Sequence, residues 1–224
     1  MTKVKGLQPI FTSLSKILIL GTIPSDKSRT SGHYYDHNGN RFWEVICKYS
    51  GVPIPNDYEE KVKILIDNDI AVWDLIDACE IEGSKDSTIK NPVYNNIQDL
   101  LNKTDIKLIL LNGKSAYKMY EENFKDLPVE YMLMQSTSSQ NATLDKQKWI
   151  DAISLVDYYV REDAVKYYVK VAGDSPLYET VKTNSGINYK FDENWSLPKA
   201  AVESGVSVAS LRKALIAAIK HGKL

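Results

Sequence analysis

Apolar residues in this chain gather into short unbroken runs, each closed by a turn signal. "KILIL" (16–20) is followed at once by "GTIPS", and "IAVWDLI" (70–76), "IKLILL" (106–111) and "VEYMLM" (129–134) have the same form. Runs of this kind predict strands buried on both faces. Between them lie segments that read as helices, at 41–50, 58–67, 95–102, 115–123 and 144–158. Buried strands alternating with helices predict a parallel sheet covered on both sides. Function in such a fold sits at the carboxyl ends of the strands. Here those ends lead into residues 21–25, 74–87, 112–115 and 135–141.

The texture changes after about residue 160. "KYYVKVAG", "LYETVKT" and "INYKF" alternate polar and apolar positions like short antiparallel strands, and the chain closes with "LPKAAVESGVSVASLRKALIAAIKHGKL". Two domains are expected, a larger one over 1–160 and a small α+β module over 161–224.

Bulk properties narrow the choice of function only a little. The formal charge of −1 over 224 residues gives no global pull towards nucleic acid or membrane, so such binding would need local patches. Two cysteines, Cys47 and Cys79, are too few for a disulfide framework or a cysteine-based zinc site. The first residues, "MTKVKGLQPIFTSLSK", lack the apolar run of a signal peptide, and no later stretch has the length to span a bilayer. The expected compartment is the cytoplasm.

One loop stands out. "GHYYDHNGNRFW" (32–43) has the Gly, Asn and Asp of a turn, yet carries two tyrosines, two histidines, Phe42 and Trp43. Phe42 and Trp43 open a helix and are expected to pack on the sheet. Tyr34 and Tyr35 are expected further out, where a planar ligand stacks, and Asn40 adds an amide with both donors and an acceptor. "QSTSSQNATL" (135–144) joins a strand to a helix, and its hydroxyls suit either a phosphate seat or simple helix capping. A ring, an amide and a phosphate seat on one sheet edge suit a nucleobase turned out of its stack. Other motifs fail. Gly113-Lys114 lacks the glycine that a phosphate-binding loop needs five residues earlier, where Leu108 stands. His33 and His37 have helix spacing within a loop, with no third ligand in sight.

Together these blocks resemble the uracil-DNA glycosylase superfamily, and within it the hypoxanthine (deoxyinosine)-DNA glycosylase branch. The resemblance rests on Gly21-Thr22-Ile23-Pro24-Ser25 with Ser28, then on Tyr34-Tyr35 through Asn40-Arg41-Phe42-Trp43. It continues in "VWDLIDACEIEGSKDSTIKN" (72–91), "LNGKSAY" (111–117) and "QSTSSQNA" (135–142). It implies a three-layer α/β/α sandwich with a four-stranded parallel sheet. The implied activity is hydrolysis of the N-glycosidic bond of a deaminated base in DNA, with no metal or cofactor. Hypoxanthine is the leading base, with uracil and xanthine as further candidates. By the same resemblance Asn40 is catalytic, donating to the leaving base or orienting water. Tyr35 stacks on the extruded base, Gly21, Thr22, Ile23 and Pro24 line the pocket floor, and Asp74 reads the base edge. Ser25, Ser28, Ser136, Thr137, Ser138 and Ser139 contact DNA. The chain departs from the pattern at Ile23, where many members carry Asp or Asn, and at Asn38-Gly39, Gln135 and Ser139, which replace prolines. No lysine falls in the pocket positions of the first signature, so simple hydrolysis is expected rather than a lyase step.

The resemblance stops short of the tail. There Ala201, Gly205 and Leu211 have helix-turn-helix spacing, and Arg212 and Lys213 are candidate phosphate contacts. They suit a winged-helix-like module, with the preceding strands as wing, that holds DNA or a protein partner, and an ordinary helical hairpin with a solvated basic face fits the same residues. The alternative for the whole chain is a catalytically weak DNA-binding protein on the same scaffold.

Overall fold

Four apolar runs become strands of one sheet, and a second sheet forms from residues that carry little apolar signal. The computed structural model describes residues 1–160, 179–182 and 188–190, with side chains described through residue 154. The strands of the first 160 residues are β1 (Thr2–Lys5), β2 (Ile17–Gly21), β3 (Ile70–Asp74), β4 (Ile76–Ile81), β5 (Lys90–Tyr94), β6 (Leu108–Asn112) and β7 (Glu130–Met134). The helices are α1 (Asp26–Ser31), α2 (Phe42–Ser50), α3 (Tyr58–Asp67), α4 (Ile97–Asn102), α5 (Lys114–Asn123) and α6 (Lys146–Val160).

The parallel sheet has the order β3-β2-β6-β7. Its register sets Ile17 beside Ile70 and Leu108, and Gly21 beside Asp74, so the carboxyl ends of the strands finish nearly level. Leu18, Leu20, Ala71, Ile109 and Leu111 pack on one side against Ile97, Leu100, Ala116 and Tyr120. Ile17, Ile19, Ile70, Val72, Leu108 and Leu110, at the alternate positions, are also buried. Burial on both faces is why these strands read as continuous apolar runs.

The reading of 70–76 as one strand needs correction. Leu75 and Ile76 still bond to the chain after β2, donating to the carbonyls of Gly21 and Thr22 at 3.0 Å each. Beyond Leu75 the backbone enters β4 instead of a loop. β4 is the centre of a three-stranded antiparallel sheet, β1-β4-β5. Thr2–Lys5 gives no apolar run and β5 is mostly exposed, so neither announces itself. This second sheet brings residues 84–87 back to the carboxyl edge of the first.

The chain divides into two units, 1–153 and 154–224. In the second, β8 (Glu179–Lys182) and β9 (Asn188–Lys190) pair antiparallel within the stretches that alternate in sequence. The helix-turn-helix pattern, with Arg212 and Lys213, lies outside the described residues.

Leu18 in the central strand β2 is fully buried. Leu18→Ala is expected to cost about 2–5 kcal/mol, through lost transfer energy and a cavity, measured as the shift in urea unfolding.

Candidate active site

The level strand ends open onto a cleft of about 610 Å³. It gathers Gly21, Thr22, Ile23, Pro24, Ser25, Ser28, Tyr35, Asn40, Asp74 and Ser136, Thr137, Ser138 and Ser139. It also takes in Asp86 and Asn112, to which the sequence reading gave no role.

The aromatic loop is held by its own rings. His33 stacks on Tyr58 with centroids 3.9 Å apart, and the Tyr34 N–H donates to Tyr58 Oη at 2.8 Å. Tyr34 does not face outward as expected. It is 3% exposed, its hydroxyl donates to the Leu7 carbonyl, and its own carbonyl accepts from Trp43 Nε1. Like Tyr34, Tyr35 lines the cleft. It lies flat on Phe42, with centroids 3.8 Å apart and planes 18° apart. Its φ of 56° is a left-handed conformation that costs a tyrosine about 1–3 kcal/mol and persists only where surrounding contacts over-determine it. Its buried hydroxyl completes no hydrogen bond, and its pKa is pushed up by burial and then by nearby Asp74.

Asn40 has one orientation open to it. Its Oδ1 accepts the Phe42 N–H at 3.0 Å, at the start of α2. The backbone donor fixes which end of the amide is oxygen. The Nδ2 group is therefore left as the donor end in the cleft. Asn40 can offer N–H to a ligand, while its acceptor is already engaged.

Two carboxyl groups share the cleft. Asp74, ending β3, is 4% exposed, and its Oδ2 has no partner. A Cβ on Gly21 would fall on Asp74 Oδ1, so only glycine lets β2 and β3 close around this side chain. Burial, with the charge of Asp86 adding to it, raises the Asp74 pKa from 3.8 to about 8. It is a neutral acid at pH 7, with one donor and one acceptor. Asp86 begins a short turn between β4 and β5 and accepts from Thr22 Oγ1 at 2.9 Å. Burial raises its pKa too, opposed by hydrogen bonds from Thr22 and Ser115.

The serine-rich loop divides its labour. Thr137 is fully buried: its N–H donates to Asn112 Oδ1 at 2.9 Å and its Oγ1 accepts from Asn112 Nδ2 at 3.0 Å. Ser28, 1% exposed, is a second structural hydroxyl, taking the Asp36 N–H and a hydrogen bond from Ser25 Oγ. Both line the cleft with hydroxyls already hydrogen-bonded within the protein. Ser138 and Ser139 remain near the surface. Arg41 ties the first loop to the last, donating to the carbonyls of Ser138 and Asn141. Gly39, at φ 83°, allows the close approach, since a Cβ there would stand 3.2 Å from Ser139 Cβ. Among the described residues, no group of three His, Cys, Asp or Glu could hold a metal ion, and no helix is long and apolar enough to cross a membrane.

The sequence profile of the uracil DNA glycosylase superfamily matches residues 9–161. The chain belongs to that superfamily. It is 31% identical over 155 residues to a hypoxanthine DNA glycosylase of Methanosarcina barkeri, covering 67% of this chain and 98% of that protein. A hypoxanthine DNA glycosylase of Methanosarcina acetivorans is 32% identical over 146 residues, 64% of this chain and 92% of that one. These relatives place the chain in the hypoxanthine branch. A solution NMR structure from Methanosarcina acetivorans, put forward as a uracil DNA glycosylase, superposes with a TM-score of 0.63 at 28% identity. That match covers 70% of this chain and 99% of that one.

The superfamily fold accounts for residues 9–161 and leaves the remainder outside the match. Within it, Asn112 had a signal in the sequence: an asparagine ending the apolar run "LILLN", directly before Gly113. Asp86 had none beyond its place in the 72–91 block, because the antiparallel sheet that carries it was not foreseen.

The raised Asp74 pKa makes a stability prediction. The native state keeps a proton that the unfolded chain releases above about 3.8, so this contribution is full below that pH and is lost as pH rises to about 8. Asp74→Asn removes the dependence. Its thermal midpoint is expected to rise relative to wild type as pH goes from about 4 to about 8, while an equal gap at both ends would contradict the assignment.

Proposed function

We propose that the protein is a monofunctional DNA glycosylase that hydrolyses the N-glycosidic bond of a deaminated base, with hypoxanthine the principal one and uracil and xanthine lesser substrates. The observation that carries this reading is the Asn40 amide: its oxygen is held by the Phe42 N–H, so its nitrogen stands as a donor in the cleft that holds the neutral Asp74. That the two Methanosarcina relatives are hypoxanthine DNA glycosylases supports the choice of base.

The chemistry follows from these positions. A base swung out of the duplex enters the cleft at a cost of a few kcal/mol, smallest at a mispair, which favours deaminated bases. One face of Tyr35 is occupied by Phe42, so the other serves the base, and such stacking contributes about 1–3 kcal/mol. Deamination gives a purine a lactam edge, with N–H beside C=O. The Asp74 acid, with one donor and one acceptor, complements it. As the glycosidic bond breaks, negative charge gathers on the base and positive charge on the sugar. Asn40 Nδ2 donates to the departing base and stabilises that charge.

Outside the pocket, Ser25, Ser138 and Ser139 and the exposed Lys85 at the mouth suit phosphate contacts. No lysine is buried in the cleft among the described residues, which supports hydrolysis without a Schiff base. The tail, with Arg212 and Lys213, is proposed as a second contact for DNA or protein, and the starting step of base excision repair is the proposed setting.

Asn40→Ala is expected to lower single-turnover excision from an inosine duplex by about 10²–10³-fold, the loss of one well-placed donor. Binding to an abasic duplex should stay within a few-fold of wild type. Excision that survives the substitution would overturn the role of Asn40. Binding by wild type with no excision of any deaminated base would favour the DNA-binding alternative.

A further inference from the structure

The glycosidase reading leaves the attacking water without a base. Hydrolysis needs an acceptor for the proton the water loses. Asn40 has spent its oxygen on the Phe42 N–H. Ile23 is hydrocarbon, and Asp74 holds a proton of its own at neutral pH. The other acid of the cleft is Asp86.

Its setting is built. Thr22 Oγ1, buried at the foot of the cleft, donates to Asp86 Oδ1 at 2.9 Å, and Ser115 at the start of α5 gives a second side-chain hydrogen bond. Two donors, one after β2 and one in α5, fix the carboxyl in one place and favour its charged form. The unpartnered Oδ2 of buried Asp74 lies in the same cleft, close enough for the two charges to interact. Two interacting carboxyls avoid ionising together, and the one without donors keeps the proton. Asp74 is thereby the acid of the pair and Asp86 the carboxylate.

Resting on the proposed activity, we propose that Asp86 is a catalytic residue whose carboxylate takes the proton of the attacking water. The water oxygen bonds to C1′ of the sugar while the C1′–N bond breaks and its electron pair leaves with the base. The water proton passes to Asp86. The base anion, held by Asn40 Nδ2, then takes a proton from Asp86 or solvent, and Asp86 returns to carboxylate. No oxidant or further reactant is consumed. The same negative charge faces the cationic sugar of the transition state.

The other titratable groups of this cleft are Asp74 at the end of β3, Lys85 next to Asp86 in the chain, and His37, and the charge of Asp86 also reaches Cys79 in β4. The test is single-turnover excision of hypoxanthine from an inosine duplex, from about pH 4 to pH 9, for wild type, Asp86→Asn and Asp86→Ala. Asparagine keeps an acceptor for the Thr22 hydroxyl, so a merely bracing Asp86 predicts a wild-type rate in Asp86→Asn. The proposal predicts a fall of about 10²–10⁴-fold in both variants, as expected on losing a general base. Affinity for a duplex with a tetrahydrofuran abasic site should hold, and the acid limb of the wild-type profile should flatten. An Asp86→Asn rate within about threefold of wild type, acid limb intact, overturns the role of Asp86 alone. A wild-type rate that is flat down to pH 4 overturns it without any variant. A wild type that excises no deaminated base overturns the glycosylase reading, and this role with it.

Discussion

A carboxyl group buried against a bare backbone organises this molecule. Asp74 ends β3 level with Gly21 of β2, and the missing Cβ there is the space its carboxyl occupies. With the pKa near 8, holding it ionised at low pH would cost on the order of 5 kcal/mol. That is comparable to the whole stability of a typical domain, so the proton stays. The parallel register, the glycine and the acid therefore form one unit: shift the strands by a residue and the acid leaves the cleft. Natural folds keep such a costly group where it serves a site.

The loops around the acid are knitted to one another rather than left to solvent. Arg41, between the catalytic candidate Asn40 and α2, reaches the carbonyls of Ser138 and Asn141, while Asn112 at the end of β6 grips Thr137 on both sides. Loops from β2, β6 and β7 are thus tied into one rim. These ties fall where the chain carries Asn38-Gly39, Gln135 and Ser139 in place of prolines. Gln135 in turn accepts from the Asp145 N–H and, through its carbonyl, from the buried Trp149. Preorganised donors and acceptors are what electrostatic stabilisation of a transition state requires.

The parallel sheet was legible because its strands are buried on both faces and write themselves as apolar runs, with Gly21, Asp74, Asn112 and the serine loop at their ends. The cleft residues followed from that edge together with the family motifs. What stayed hidden depends on pairing across the chain. β1 reads as charged "TKVK", and β5 exposes most of its residues, so the antiparallel sheet and the delivery of Asp86 left no periodic trace. Tyr34 and Tyr35 are neighbours of one type, and their sequence alone does not say that Tyr34 is buried while Tyr35 takes a left-handed turn. Likewise, composition does not tell that the Ser28 and Thr137 hydroxyls are engaged in tertiary hydrogen bonds.

The most direct test of the account is to incubate wild-type protein with an inosine-containing duplex in the presence of EDTA and to identify the products by mass spectrometry. Free hypoxanthine with an intact strand carrying an abasic site is the predicted result. No released base, a strand cut by the protein itself, or activity that EDTA abolishes would contradict a simple hydrolysis run by Asn40, Asp74 and their neighbours.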